Sequence, residues 1–320
     1  MDRLEAMSIL VAAAETGSFS AASRKLRMPL PTVSRKVAEL EAHLNARLLV
    51  RSTRKLTLTE AGVAYLAACK QILEQVSEAE SAAAGEYSTP RGELVVTAPI
   101  VFGRLHMLPI VSDFLATFAE ITVRLVLADR NLHLLDDHID VALRIGKLPD
   151  SSMVATQVGT VIRVACASPH YLAQAGEPET PADLMRFSCV NFDSLPSGDV
   201  WNFATSSGPH EAVPIHARLT VNTAEAAIDA AIAGVGVTNV LSYQAARAVD
   251  EGKLKLVLRS FEPEPIPVSI MHAGQGKLPL KTRSFIDFAV PRLRAALARD
   301  KDMLSAKAMP RSRQRRASRT

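Results

Sequence analysis

Apolar residues in the first sixty positions recur at helical spacing in short bursts, and each burst ends on a breaker. Leu4, Met7, Ile9, Leu10 and Val11 fall broadly on one face of a helix over residues 2–15, which Gly17 closes. Ser18, Phe19 and Ser20 open a second helix over 21–26. Pro29 and Pro31 punctuate a tight turn. A third helix follows over 32–44, with Val33, Val37, Leu40 and Leu44 at spacings of four, three and four. Leu48, Leu49, Val50, Leu56 and Leu58 flank the basic loop Arg51-Ser52-Thr53-Arg54-Lys55, the pattern of a two-stranded wing. Thr59 is placed to N-cap a long helix reaching about Gly85, with Leu66, Leu73, Val76 and Ala83 as an approximate heptad seam.

The texture changes at the linker 87–92, YSTPRG. Strands are predicted at 94–98, 123–128, 141–145, 161–168, 189–192, 213–222, 235–241, 253–258 and 267–271. Helices are predicted at 104–118, 132–138, 170–174, 181–187, 223–233, 243–249 and 280–298, the last containing Pro291. Such alternation argues for doubly wound α/β domains with parallel sheets.

Charge divides the chain the same way. Residues 1–60 carry ten basic and six acidic side chains, whereas 61–310 are net acidic and 311–320 hold five Arg and no acid. The formal net charge of +4 therefore hides a basic head, an acidic body and a basic tail. At 48% hydrophobic and 22% charged residues the chain is ordinary globular material. No apolar run approaches the ~18–20 residues of a membrane span, and polar residues directly after Met1 leave no signal peptide. Cys69, Cys166 and Cys189 are odd in number and far apart, which fits idle cytosolic thiols rather than a disulfide framework. A soluble cytoplasmic protein is expected.

Two small helices around a tight turn, the second opening on Pro31-Thr32-Val33-Ser34-Arg35-Lys36, have the pattern of a helix-turn-helix. Ala21 and Ala22 allow close helix approach. Ser20, Pro31, Thr32, Val33, Ser34, Arg35 and Lys36 are the candidate residues for bases and phosphates in a major groove. Arg51, Thr53, Arg54 and Lys55 on the wing are candidates for neighbouring phosphates, which give affinity rather than sequence information. The competing reading of the same pattern is a small helical bundle with ordinary surface charge.

The stretch from Phe19 to Gly62 resembles the winged helix-turn-helix of LysR-type transcriptional regulators. It carries Phe19-Ser20-Ala21-Ala22, Val33-Ser34, Leu40-Glu41, Arg51-Ser52-Thr53-Arg54 and Leu58-Thr59-Glu60-Ala61-Gly62 in the family's order and spacing. LVVTAPIVFGRLHMLP, DVALRIGKLPDSS, ACASPHYL, PADL and AGVGV, all beyond position 90, resemble that family's periplasmic-binding-protein-like effector half. Two positions depart from it. Many members carry Gln in the turn before the recognition helix, where this chain has Leu30, so one base-reading amide is absent. Leu49 replaces a usual Phe. The resemblance implies a fold of N-terminal all-α winged helix-turn-helix, linker helix and two-subdomain doubly wound α/β effector-binding domain. It also implies that the linker helix pairs two copies as a homodimer or homotetramer, which reads a roughly palindromic operator in double-stranded DNA. The expected layout is a DNA-binding domain over 1–58, a linker and dimerisation helix over 59–86, an effector-binding domain over 91–298 and a basic tail over 299–320. Within the effector domain, 91–163 with 267–298 forms one subdomain and 164–266 the other.

In the α/β half, two strand ends run into helix starts. One is Thr97-Ala98-Pro99-Ile100 with Phe102 beyond, and the other is Asn222-Thr223 with Glu225 at N3 of a helix that Asn222 caps. Helix N-termini favour carboxylates, and ligands of open α/β sheets lie beyond the carboxyl ends of strands. Arg144 and Gly146 end a further strand, with Arg144 as a candidate cation. A small organic, anionic effector is expected there; the plainer alternative leaves Asn222 as a cap and Arg144 in an ion pair.

Catalytic motifs are missing: neither GxSxG nor HExxH occurs, Gly274-Gln275-Gly276-Lys277 is not a P-loop, and Gly234-Val235-Gly236 is not completed to GxGxxG. His133 and His138, among Asp136, Asp137 and Asp140, do not share a helical face, so no metal site and no cofactor are expected. The function expected is a ligand-responsive, sequence-specific DNA-binding transcriptional regulator and not an enzyme. The alternatives are a two-lobed small-molecule-binding protein or enzyme of the same fold, and a nucleoid protein without sequence preference.

Overall fold

The computed structural model describes residues 1–51, 56–83, 89–129, 139–148, 153–192, 199–205, 208–273 and 278–306. The chain divides into a unit comprising Met1–Pro90 and a larger unit beginning at Arg91. Thr53, Arg54, Lys55, the expected helix 132–138 and the basic tail from 307 lie outside the described residues.

In the first unit, α1 (Arg3–Thr16) is capped by Asp2, whose Oδ1 accepts the Leu4 and Glu5 N–H groups, and it closes on Gly17 at φ 68°. Ser18 Oγ caps α2 (Phe19–Leu26) by accepting from the Ala21 N–H. The turn to α3 (Leu30–Leu44) is a Schellman-type closure with Arg27 in the left-handed region. α3 starts two residues before the expected position. Pro31 sits inside its first turn, where a missing N–H costs nothing, and does not mark the turn. Val33, Val37 and Leu40 are fully buried against Ile9, Leu10 and Ala13 of α1 and against Ala22 of α2.

The wing pairs β1 (Leu49–Arg51) antiparallel to β2 (Leu56–Leu58). Glu41 Oε1 accepts both the Leu48 N–H (2.8 Å) and the Leu49 N–H (3.0 Å), which fixes where β1 leaves α3. Thr59 donates its hydroxyl to the Arg47 carbonyl and accepts from the Gly62 N–H, capping α4 (Glu60–Ala83) as expected. The family-like residues Glu41, Thr59 and Gly62 are thus the joinery of the wing. The α4 seam is different from the expected one. Leu66 and Leu73 pack with Tyr65 and the buried Cys69 on this unit's own core, while Val63 and Ile72 are exposed.

The second unit is built on two five-stranded sheets. The first runs β4 (Ile121–Leu127), β3 (Gly92–Ala98), β5 (Val141–Ile145), β14 (Ile266–Ala273), β6 (Met153–Val161). The second runs β11 (His216–Val221), β8 (Ser188–Phe192), β12 (Val237–Leu241), β7 (Arg163–Ala167), β13 (Lys255–Val257). Neither sheet is wholly parallel, which corrects the expectation. β4, β3 and β5 run parallel, as do β11, β8 and β12, but β14 and β7 oppose their neighbours. These are strands bordering the two crossovers, after β6 and after β13, and a chain arriving from the other lobe enters its new sheet against the local direction. β6 and the hairpin β9 (Val200–Thr205) with β10 (Gly208–Pro214) are further strands that the apolar pattern did not reveal, and residues expected as one strand over 213–222 divide between β10 and β11.

The first lobe is covered by a helical stretch of α5 (Ile100–Phe102), a π-turn (Gly103–Met107) and α6 (Leu108–Thr117). This 18-residue stretch has a mean hydropathy of 1.3, long and apolar enough for a membrane span by composition. It is instead a covering helix: Val101, Phe102, Met107, Ile110, Val111 and Phe114 are buried in the core of the first sheet. The second lobe carries α7 (Pro169–Ala175), a 3-10 turn (Pro181–Arg186), α8 (Ala224–Ile232) and α9 (Ser242–Asp250). α10 (Leu280–Ala306) outruns the expected end at 298. Phe285, Ala289, Leu293 and Leu297 pack in the first lobe's core, whereas Leu304, 6% exposed, joins the core of the second. Residues 299–306, expected in the tail, therefore belong to the fold.

All three cysteines are free and buried. Burial pushes the Cys69 thiol up to about 11 and those of Cys166 and Cys189 to about 12. The thiolate is the reactive form, so native protein at pH 8 should take up no iodoacetamide while urea-unfolded protein takes up three. Intact-mass measurement before and after unfolding checks this.

Candidate DNA-reading helix and effector cleft

The outward side of α3 is set by the burial of its inner face. With Val33 at 0% exposure, Val33 is a core residue and not a base contact, which corrects its assignment. Pro31 and Arg35 are exposed, Thr32 and Ser34 half-buried, and Ser20 lies exposed on α2. Arg35 keeps 67% of its side chain in solvent and makes an i,i+4 contact to Glu39 at 3.6 Å. Lys36 is drawn inward, its ammonium 2.6 Å from Glu5 of α1. That hydrogen bond holds Lys36 above the ordinary lysine range, so it braces α3 against α1 and is not a free phosphate contact. Arg51 lies on β1, at the edge of the wing loop.

Leu30, marked in the sequence only by the glutamine it replaces, is not among the residues the pattern assigns to DNA. It is the first residue of α3 and 43% exposed, on a helix whose other apolar valines turn inward. The first turn is also poor in free donors. Pro31 has no N–H, and the Thr32 and Val33 N–H groups bond back to the Pro29 carbonyl. This end of α3 therefore offers apolar surface and side-chain polarity, not a row of backbone amides.

In the larger unit, the parallel pairing Thr97↔Ala142 sets Thr97 beside β5, with Arg144 and Gly146 beyond it at the same end of the sheet. Thr97 is completely buried, and its Oγ1 has no hydrogen-bond partner among the described residues. Ala98 is buried in the first lobe's core, on the opposite face of β3 from Thr97, and Pro99 turns the chain into α5. The first N–H of that helix is already taken: Ile100 N donates to Asp129 Oδ1 at 3.0 Å. The protein's own carboxylate thus occupies a position the sequence reserved for a ligand. Arg144 Nη1 donates to the Leu143 carbonyl at 3.2 Å, and burial lowers its guanidinium below the ordinary range. Gly146, at φ 129°, bends the backbone as β5 ends.

On the second lobe Thr223, not Asn222, caps α8, its Oγ1 accepting from the Ala226 N–H. Asn222 is exposed, and Glu225 stands one position nearer the cap than expected. The two lobes meet through these segments. Arg104 in the π-turn lies 3.4 Å from Glu225, and the Phe102 ring, fully buried, meets Tyr243 of α9 edge-on at 5.2 Å. His106 joins both rings and stands 3.1 Å from Asp300 of α10, at ion-pair distance without hydrogen-bond alignment. The π-turn thus gathers contacts from three elements in one place. Phe102, and Glu225 just beyond Asn222–Thr223, are thereby placed at one junction of the lobes.

Residues 4–63 match the bacterial regulatory helix-turn-helix protein description of the lysR family, and residues 88–294 match the LysR substrate binding domain. The chain belongs to the LysR family of transcriptional regulators. It is 35% identical over 291 residues to an HTH-type transcriptional repressor of Pseudomonas aeruginosa strain UCBPP-PA14, covering 91% of this chain and 92% of that one. It is 31% identical to the HTH-type transcriptional activator AaeR of Escherichia coli K12, covering 90% and 93%. Among solved structures it resembles CrgA, a LysR-type transcriptional regulator from Neisseria meningitidis, at 29% identity and a TM-score of 0.59, covering 90% of this chain and 98% of that one. The fold expected from the sequence, a winged helix-turn-helix followed by a two-lobed α/β effector-binding part, is the fold of this family. The protein is a transcriptional regulator with a helix-turn-helix for DNA and a substrate-binding part.

Proposed function

We propose that α3 reads base edges in the major groove of an operator and that the wing grips the flanking phosphates. The observation that carries this is the division of α3, whose Val33, Val37 and Leu40 are fully buried while Leu30, Pro31 and Arg35 face outward. Thr32 and Ser34 flank the same face, and Arg24, Arg27 and Arg35 supply exposed positive charge around it. Leu30 suits apolar contact with a thymine methyl. In this reading residues 1–58 bind DNA, 59–86 pair two copies, 91–298 bind the effector in two subdomains, and the basic tail adds non-specific phosphate contacts. Pairing uses the outward stripe of α4 around Ile72 and Val76, since Leu66 and Leu73 are engaged at home. A homodimer or homotetramer then reads two half-sites. The protein works in the cytoplasm without turnover, metal or membrane.

A small anionic effector at the lobe junction would favour one inter-lobe arrangement over another, and only that difference in affinity drives a switch. The Phe102, His106 and Tyr243 rings make the junction a packed contact between the two lobes. Gel-shift titration on a DNA fragment selected by the wild-type protein tests the DNA reading. Arg35→Ala should lose roughly 1–3 kcal/mol of specific binding, as expected for one base contact, with Ser34→Ala weaker in the same direction and the thermal transition unchanged. Unaltered operator affinity in both variants rejects the assignment. A turnover assay with carboxylic acids tests the enzyme alternative, and footprinting tests the nucleoid one.

A further inference from the structure

Arg163 is the first residue of β7, immediately after the crossover from the first lobe. Its position is fixed by Ser242, whose N–H donates to the Ile162 carbonyl at 2.7 Å and whose Oγ accepts from the Ile162 N–H at 3.2 Å. On β7, Val164 and Cys166 pack into one core and Ala165 and Ala167 into another, so Arg163 lies on the face of Ala165. The antiparallel register sets Asn239 of β12 opposite Ala165 and Leu241 opposite Arg163. Arg163 and Asn239 are therefore diagonal neighbours on one face, roughly 7–8 Å apart, a separation long side chains span but do not close directly.

Both groups lack what their burial calls for. Asn239 is 5% exposed, and its Oδ1 accepts no hydrogen bond. Arg163 is half-buried, and no carboxylate or carbonyl among the described residues pairs with it. Burial depresses its guanidinium, and among the described residues no acidic neighbour opposes the shift. Buried acceptors without donors and half-buried cations without anions are costly and rare in native structures. Arg144, by contrast, already donates to Leu143.

We propose that Arg163 and Asn239 are the anchoring pair for the effector, the guanidinium taking its carboxylate and the carboxamide oxygen accepting from a hydroxyl or amine on the same molecule. The ligand class is then a small hydroxy- or amino-carboxylic acid, narrower than the anionic effector of the reading on which this rests. The pair lies beside the lobe crossover, so a ligand held there acts where the lobes are joined.

The test uses full-length protein, thermal unfolding, and lactate and salicylate against propionate and benzoate, all at one ionic strength set with sodium chloride. A hydroxy acid should raise Tm above its parent acid. Arg163→Met should weaken that binding roughly tenfold to a hundredfold, as loss of a charge-assisted hydrogen bond does, and Asn239→Leu should erase the preference for the hydroxyl. Without ligand, Arg163→Met should unfold no earlier than wild type, because it removes an unpaired desolvated cation. It should also bind operator DNA as wild type does, which separates failure here from failure of the DNA reading. A ligand-free Tm several degrees lower, no shift with any of the four acids, or a shift that survives Arg163→Met overturns the proposal.

Discussion

Gly62→Ala is expected to unseat the wing and abolish tight operator binding although it removes no DNA-facing side chain. A Cβ at residue 62 would lie 2.0 Å from the Leu48 carbonyl oxygen and 2.8 Å from its carbon. These are backbone atoms that cannot rotate away. The same oxygen accepts the Thr59 N–H at 3.0 Å, and the neighbouring Leu48 N–H is held by Glu41. Relief therefore has to displace the start of β1, the α4 cap, or both. Overpacking costs about 1–3 kcal/mol and a broken internal hydrogen bond about 1 kcal/mol more. Gly17 supplies the control. It needs a left-handed φ of 68°, but nothing lies within 4 Å of its absent Cβ. Gly17→Ala should cost only about 1–2 kcal/mol of backbone strain and keep operator affinity. Thermal unfolding and gel shifts on the two variants decide the matter; equal behaviour would mean that the close approach at Gly62 is not what positions the wing.

The contrast between these glycines shows what was legible in the sequence. Elements whose signal is local were readable. Apolar periodicity placed α1 and the body of α3, and turn chemistry placed the Thr59 cap. The α/β character of the larger unit followed from strand–helix alternation, and its division into two lobes from the family resemblance. What escaped depends on pairing across distance. β6 is the edge strand of its sheet and has few buried positions, and the sheet direction of β7 and β14 follows from where the chain re-enters, which no window of residues records. Pro31 looked like a turn marker because proline is tolerated at a helix start as readily as outside one. The tail boundary at 299 failed for a similar reason: Leu304 is a single apolar residue among charges, and only the second lobe's core makes it a packing residue.

Site residues were less legible than elements. The pattern named Val33 and Lys36 for DNA because they follow Thr32 and precede the rest of α3. Burial of one and the Glu5 contact of the other are tertiary facts. In the effector half, strand ends were found, but the cap moved from Asn222 to Thr223, and Asp129 filled the start of the covering helix. Arg163 carried a usable signal, a cation inside the apolar run from Val161 to Ala167, whose meaning appears only when no acid is found facing it.

Lys281→Met should destabilise the larger unit by roughly 3 kcal/mol at pH 7, the scale for stripping a partner from a buried charge, and the loss should shrink in acid. Lys281 Nζ donates to the Glu93 carbonyl at 2.6 Å and stands 4.0 Å from Asp140, whose Oδ2 accepts the Val95 N–H at 2.7 Å. These contacts tie α10, β3 and the start of β5 together, with both charged side chains buried. Burial raises the Asp140 carboxyl above its ordinary value even though Lys281 and the Val95 N–H pull it down. Where a carboxyl is raised, the folded chain keeps a proton that the unfolded chain has released. Its contribution is then most favourable below the ordinary aspartate value of about 4 and is lost as pH rises through the folded value. Removing Lys281 removes the main opposing charge, so that decline should steepen and extend to higher pH. Urea unfolding at pH 4.5 and 7.5 should show the variant much closer to wild type at the lower pH. Adding Asp140→Asn to Lys281→Met should recover much of the loss at pH 7.5 and flatten the difference. A loss of equal size at both pH values would show that Lys281 acts through its bond to the Glu93 carbonyl and its packing, not through the charge of Asp140.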